Sequence, residues 1–287
     1  MTTAANVGKR RRRQPGAAIV ACIVVLLLIA LSALLAPALA PFEPSAIDLR
    51  ARLQPPAWLP AGAANHLLGT DASGRDVLSR LLYGGRASLS IGVSACLLGL
   101  LLGVPLGIVS GYARGWWDQV IMFLVDVQLS MPFLLLAIAV ALVLGSSIPV
   151  LIGIAALSTW PYYARVVRGS VLALRDQEFV TGARALGARP VRVMLRHLLP
   201  SLVSPIVVLF TLNLGRIILL ESGLSFLGIG VRPPTPSWGN MIDDGRGYLN
   251  TAWWIAVMPS LALMALTMAV GTLGDWLRDR ADVTVTE

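Results

Sequence analysis

The sequence predicts an all-α integral membrane protein that crosses the bilayer six times. Three observations predict it. Hydrophobic residues make up 56% of the 287 and charged residues only 13%, against about 25% charged in soluble domains. Mean hydropathy is +0.75. The apolar residues also gather into six runs (17–40, 87–112, 119–144, 147–164, 202–220 and 251–273), each close to the roughly 20 residues a membrane helix needs.

Residues 1–16 form a basic tail with five consecutive cations, Lys9 to Arg13. Such a run can bind nucleic acid or signal export, but directly before an apolar span it holds that end on the cytoplasmic side. The span 17–40 ends in Ala38-Leu39-Ala40, which mimics a signal-peptidase site. It is longer than the roughly 7–15 residues of a signal core, and Pro41 would follow the cut, so it reads as an uncleaved first helix. Residues 41–86 are Pro-rich and then polar, an outer segment with a short interfacial helix over 76–83 or an ordinary surface loop.

In the second span, Gly99, Gly103, Gly107 and Gly111 recur every four residues, a flat stripe where another helix can approach closely. Pro105 is expected to bend this helix. The third span carries Asp126, Gln128 and Pro132; a carboxylate at that depth must face protein or water, so Asp126 lines a pathway or bonds a neighbouring helix. Span four ends in Arg165 and Arg168. Span five carries Asn213 and Arg216, with Glu221 near its end. The tail 275–287 is polar and expected to fray.

Between spans four and five lies a long polar interruption, EFVTGARALGARPVRVMLRHLLPS at 178–201. Phe179, Ala183 and Leu186 share helical spacing, Gly187 suits a helix end, and Pro190 suits a first helical turn. Val191, Met194, Leu195 and Leu198 then form one face, with Arg192 and Arg196 on the other. Pro200 is expected to mark a further turn. The stretch reads as a docking elbow of two short amphipathic helices, within 176–200.

Six spans put both ends on one side, and arginine placement selects it. Fifteen of the 23 basic residues fall in the two tails, the 113–118 turn and 165–197; the two opposite loops hold seven. Positive residues favour the inside, so both termini and the elbow are expected in the cytoplasm. Topology thus accounts for the net charge of +8, and no nucleic-acid partner is needed. The chain has one lysine, Lys9, and so cannot carry a phosphate-binding loop that needs lysine after glycine. Cys22 and Cys96 both sit in apolar runs, and His66 and His197 are far apart, so no metal site is expected. No hydrolase motif occurs, nor a close pair of carboxylates in an apolar helix, which leaves almost nothing for an enzyme to work with.

With its elbow, its outer run HLLGTDASGRDVLSRLLYGGRASLSIG and its run ESGLSFLGIGVRPPTPSWGNMI after span five, the chain resembles the permease subunits of bacterial binding-protein-dependent ABC importers. The resemblance covers nearly the whole chain and points to the C-type subunit of the dipeptide, oligopeptide and nickel group. Ala183, Gly187 and Leu199-Pro200 match the family's E-A-A-x-x-x-G loop. Thr181 stands where that loop has its glutamate, Gly182 replaces its first alanine, and Glu178 lies about one turn earlier. Phe123 and Arg216 also depart from the pattern, and Arg216 is expected to pair with Asp126 across helices.

The resemblance implies a type I (MetI-like) transmembrane domain at 87–274, preceded by an extra N-terminal helix. It implies a bacterial inner-membrane location and membrane lipid as surroundings. It implies a homologous second permease, two cytoplasmic ATPase subunits that hold ATP and Mg, and a periplasmic or lipid-anchored solute-binding protein. No cofactor would bind this chain. Glu178, Thr181, Gly182, Ala183, Arg184, Gly187, Arg192, Arg196 and Pro200 would form the ATPase-coupling elbow. Asp126, Arg216 and Glu221 would be pathway or interhelical polar groups. The alternative is an ion-coupled secondary transporter with Asp126 and Glu221 as its relay.

Overall fold

The computed structural model describes residues 16–62 and 64–284. The basic run at 9–13, expected to hold the N-terminus in the cytoplasm, lies outside them. The described residues form helices α1 (Ala17–Leu34), α2 (Ala36–Leu39), α3 (Val77–Ala113), α4 (Gly115–Ser130), α5 (Phe133–Leu144) and α6 (Ile148–Leu174). Then come α7 (Glu178–Ala185), α8 (Pro190–Val193), α9 (Leu199–Phe226), α10 (Trp238–Arg246) and α11 (Trp254–Thr284). Among the described residues, five helical segments are long and apolar enough to cross a membrane, and the bent pair α4–α5 makes a sixth if it counts as one span.

Helix ends differ from the sequence expectations for local reasons. α3 begins at Val77, well before 87, because the Asp76 carboxylate caps it by accepting from the Ser79 amide at 2.8 Å. The interfacial helix expected at 76–83 is therefore its first turns. α3 also continues through Pro105 as one helix. α11 extends to Thr284, through residues expected to fray.

The third span is the largest correction. It breaks after Ser130 into α4 and α5, whose axes differ by 89°. Pro132 has no N–H for the helical ladder, and its ring forces the preceding residue out of the helical region; Met131 sits at φ −82°, ψ 136°. One proline thus turns a single apolar run into two helices.

α3 and α6 pack along the glycine stripe. A Cβ on Gly103 would lie 2.6 Å from the Tyr163 Cβ, one on Gly107 2.9 Å from the Val167 Cβ, and one on Gly111 2.8 Å from the Val171 Cβ. Larger residues there would push the helices apart. Tyr163, Val167 and Val171 join Val104 and Ile108 in an apolar cluster that also takes Val180, Val193 and Leu198 from the elbow. A second cluster gathers Val77, Trp238, Met241, Trp254 and Ile255 at the opposite end.

Over that second cluster, residues 41–76 are strapped down rather than loose. The Phe42 amide donates to the Ser79 hydroxyl at 3.1 Å, and His66 Nδ1 lies 2.9 Å from the Asp76 carboxylate. The Trp254 indole donates to the Thr70 carbonyl at 3.1 Å. Asp71 pairs with Arg75 at 2.7 Å and with Arg80, and both arginines reach Asp244 of α10. α10 itself starts on a capping box between Ser237 and Asn240.

Candidate functional site

At the other end of the bundle the elbow takes its shape from one glycine. α7 closes with the Gly187 amide bonding the Arg184 carbonyl at 2.9 Å and the Ala188 amide bonding the Ala183 carbonyl at 3.0 Å. This double closure requires a left-handed residue, and Gly187 has φ +80°. Pro190 then opens α8 at its first turn.

Pro200 does not turn the chain. Residues Met194–Leu198 form a π-type turn that leads straight into α9, giving one continuous helical segment Pro190–Phe226. Pro200 cannot donate and its ring crowds the carbonyl four residues earlier, which a widened turn accommodates.

The elbow has an inner and an outer side. Val180, Val193 and Leu198 are buried in the bundle cluster. The Arg184 guanidinium stacks over the Tyr112 ring at 4.7 Å, so it clamps α7 to the end of α3. The Thr181 hydroxyl is turned back on its own helix, donating to the Gln177 and Glu178 carbonyls. Val191, Met194 and Leu195 open onto an apolar cavity of about 330 Å³ shared with Leu101 and Pro105 of α3. Glu178, Phe179, Gly182, Arg192 and Arg196 are exposed. Leu186, at the tip, is 91% exposed.

The membrane-depth polar residues do not meet as expected. Asp126 pairs with Arg165 of α6, not with Arg216. The Arg216 guanidinium instead stacks over the Tyr162 ring, 4.3 Å from its centre. Glu221 is 2% exposed and accepts from the Ser88 hydroxyl at 2.8 Å and the Ser225 hydroxyl at 2.7 Å. It therefore links α9 to α3 and is no part of a relay with Asp126. Two further pairs escaped the sequence reading. Asp118 holds Arg168 at 2.5 and 2.7 Å, and Arg175 donates to the Gly111 and Tyr112 carbonyls. Sequence offered only their charges beside a span end, with nothing to say which faced which.

Residues 103–283 match the family described as "Binding-protein-dependent transport system inner membrane component". The chain belongs to that family. Residues 7–56 match the N-terminal transmembrane domain of oligopeptide transport permease C, which accounts for α1 ahead of the core. The permease is 40% identical over 254 residues to the di/tripeptide transport system permease protein DppC of Pseudomonas aeruginosa (strain UCBPP-PA14), covering 88% of this chain and 84% of that one. It is 45% identical over 217 residues to the glutathione transport system permease protein GsiD of Shigella dysenteriae serotype 1 (strain Sd197), covering 76% and 72%. Its fold resembles a chain of the inward-facing MetNI methionine ABC transporter, with TM-score 0.57 at 18% identity over 70% of this chain and 95% of that one. The molecule is a multi-pass permease subunit of an ABC importer, and the ion-coupled reading finds no support.

Proposed function

We propose that this permease forms half of a translocation path for short peptides, of the di/tripeptide or glutathione kind for which its relatives are named. Its elbow delivers the ATPase stroke. A homologous permease completes the path, two ATPase subunits bind and hydrolyse ATP with Mg, and a solute-binding protein delivers cargo on the opposite face. The protein lies in the bacterial inner membrane with both termini cytoplasmic.

One observation carries the coupling role. The elbow's inner side is locked to α3 and α6 through Val180, Val193 and Leu198, while its tip presents the apolar Leu186 to the outside. A lever needs this combination: a rigid joint to the moving helices and a sticky end for the motor. Glu178, Gly182, Arg192 and Arg196 are exposed elsewhere on the elbow, and Arg184 and Gly187 hold its shape. ATP-driven closure of the motor would tilt the elbow and switch the bundle between inward- and outward-facing arrangements.

Co-purification of the tagged permease with the ATPase subunits of its own genome tests this. Leu186→Glu, which alters only the tip, is expected to reduce retained ATPase roughly tenfold or more, the effect of losing a buried leucine contact. Gly187→Pro, which cannot adopt φ +80°, is expected to abolish retention while the chain remains membrane-inserted. ATPase retention unchanged in both variants would sink the coupling role.

A further inference from the structure

Arg216 lies inside the fifth apolar run, 202–220. It lies on α9, about 15 Å along the axis from the outer end at Phe226. Its neighbours Gly215, Ile217 and Ile218 are buried in the bundle, but Arg216 itself is exposed. A cation at this depth does not face lipid tails; it faces protein or a water-filled cavity. Among the described residues no carboxylate lies within 4.0 Å of it, and its guanidinium stacks on the Tyr162 ring.

Its surroundings favour water. Tyr162 and Arg165 are three residues apart on α6, so they share a side of that helix. Arg165 in turn pairs with Asp126 of α4, and both members of that pair are more than half exposed, at 52% and 64%. Helices α9, α6 and α4 therefore present one polar strip, Arg216–Tyr162 beside Arg165–Asp126, with one positive charge in excess. Covering that strip with a protein partner would desolvate an ion pair that is already satisfied. A water-filled path leaves it hydrated.

We propose that Arg216 is a substrate-reading residue in the wall of the translocation path, and that it takes the carboxylate of the passing peptide. Tyr162 occupies one face of the guanidinium, which fixes its plane. The edge, with its row of N–H donors, stays free, and that edge matches a carboxylate bidentately. Asp126 neutralises Arg165, so the uncompensated positive charge of the strip is centred on Arg216. This proposal rests on the importer reading and assigns one subsite within it.

The test uses the complete importer in proteoliposomes, with both permeases, the ATPases and the binding protein loaded with dipeptide. In Arg216→Cys, residue 216 is treated with sulfonatoethyl or aminoethyl methanethiosulfonate. Labelling is read by mass spectrometry on the peptide carrying residue 216, because Cys22 and Cys96 are native thiols; wild type is treated in parallel. Residue 216 is expected to label, and saturating dipeptide to slow the labelling. The cationic aminoethyl adduct should restore uptake to within a few-fold of wild type. The anionic adduct should leave it down roughly tenfold or more, the scale of one charge-assisted pair. ATP hydrolysis stimulated by the loaded binding protein should persist in every form. A thiol at 216 that does not label, or two adducts with equal uptake, overturns the assignment. Absence of stimulated hydrolysis in wild type would overturn the importer reading beneath it as well.

Discussion

The carboxylate of Asp71 holds the outer strap to the bundle. It is 1% exposed, paired with Arg75 and Arg80, and accepts from the Ser73 amide at 2.8 Å and the Arg75 amide at 3.0 Å. Burial alone pushes such a group up, but the two guanidiniums and two amides outweigh it and hold the Asp71 carboxyl below its usual range. Because the folded value is depressed, its stabilisation is fully present above the unfolded value of about 4 and is lost as pH falls through the folded one. Protease protection of residues 41–76 in the purified permease is therefore expected to hold from neutral pH down to about 4 and to fail only below that. Asp71→Asn should remove the protection already at neutral pH. It leaves Arg80, itself 3% exposed, with only Asp244, a loss of about 3 kcal/mol for a broken buried pair. A strap equally protected in that variant would mean that Trp254 and His66 hold it without the ion pairs.

At the scale of elements, the contact between α3 and α6 depends on the absence of side chains. Gly103→Leu would drive a branched side chain into the Tyr163 Cβ and into the Trp160 carbonyl and Ala164 nitrogen, the last two being backbone that cannot step aside. Overpacking of this kind costs about 1–3 kcal/mol, or more when the obstruction is rigid. A lower melting temperature of the detergent-solubilised permease is the expected result. Gly169→Ala on α6, where a Cβ meets nothing within 4 Å, should leave it unchanged or raise it. Equal melting in both would remove the stripe from the packing account. Element existence was legible in the sequence because membrane helices declare themselves by length and hydropathy. The 89° break at Met131–Pro132 was not, although Pro132 was in view, because membrane helices also tolerate proline, as α3 does at Pro105. The elbow's hinge at Gly187 was visible as a glycine between two amphipathic patterns. Its inner contacts through Val180, Val193 and Leu198 were not, since an apolar residue in a short helix does not say which neighbour covers it. Arg216 was misassigned for a related reason: opposite charges in two spans invite pairing, but α6 had already placed Arg165 beside Asp126.

For the whole molecule, the contacts of two arginines bear on how many times the chain crosses. Arg175, after α6, donates to the carbonyls of Gly111 and Tyr112 at 3.3 and 3.1 Å, so the ends of α3 and α6 share a side. Arg232, beyond α9, donates to the Ser146 hydroxyl at 2.8 Å, so the start of α6 and the end of α9 share the other. α6 is a single span between these levels. The chain leaves α3 on one side and enters α6 on the other, so the bent pair α4–α5 must carry it across despite its break. On the proposed orientation, with the arginine-rich elbow side in the cytoplasm, a cysteine replacing Thr235 is expected to react with a membrane-impermeant maleimide in intact cells. One replacing Ser147, next to the buried Ser146, should do the same. Cysteines replacing Arg114 or Arg192 should react only after the inner membrane is permeabilised. Labelling at 147 that follows the pattern of 114 would make α4–α5 a re-entrant hairpin, and the count of crossings would fall by one. The opposite sidedness at all four positions would preserve the count and invert the protein, placing the elbow where no cytoplasmic ATPase could reach it.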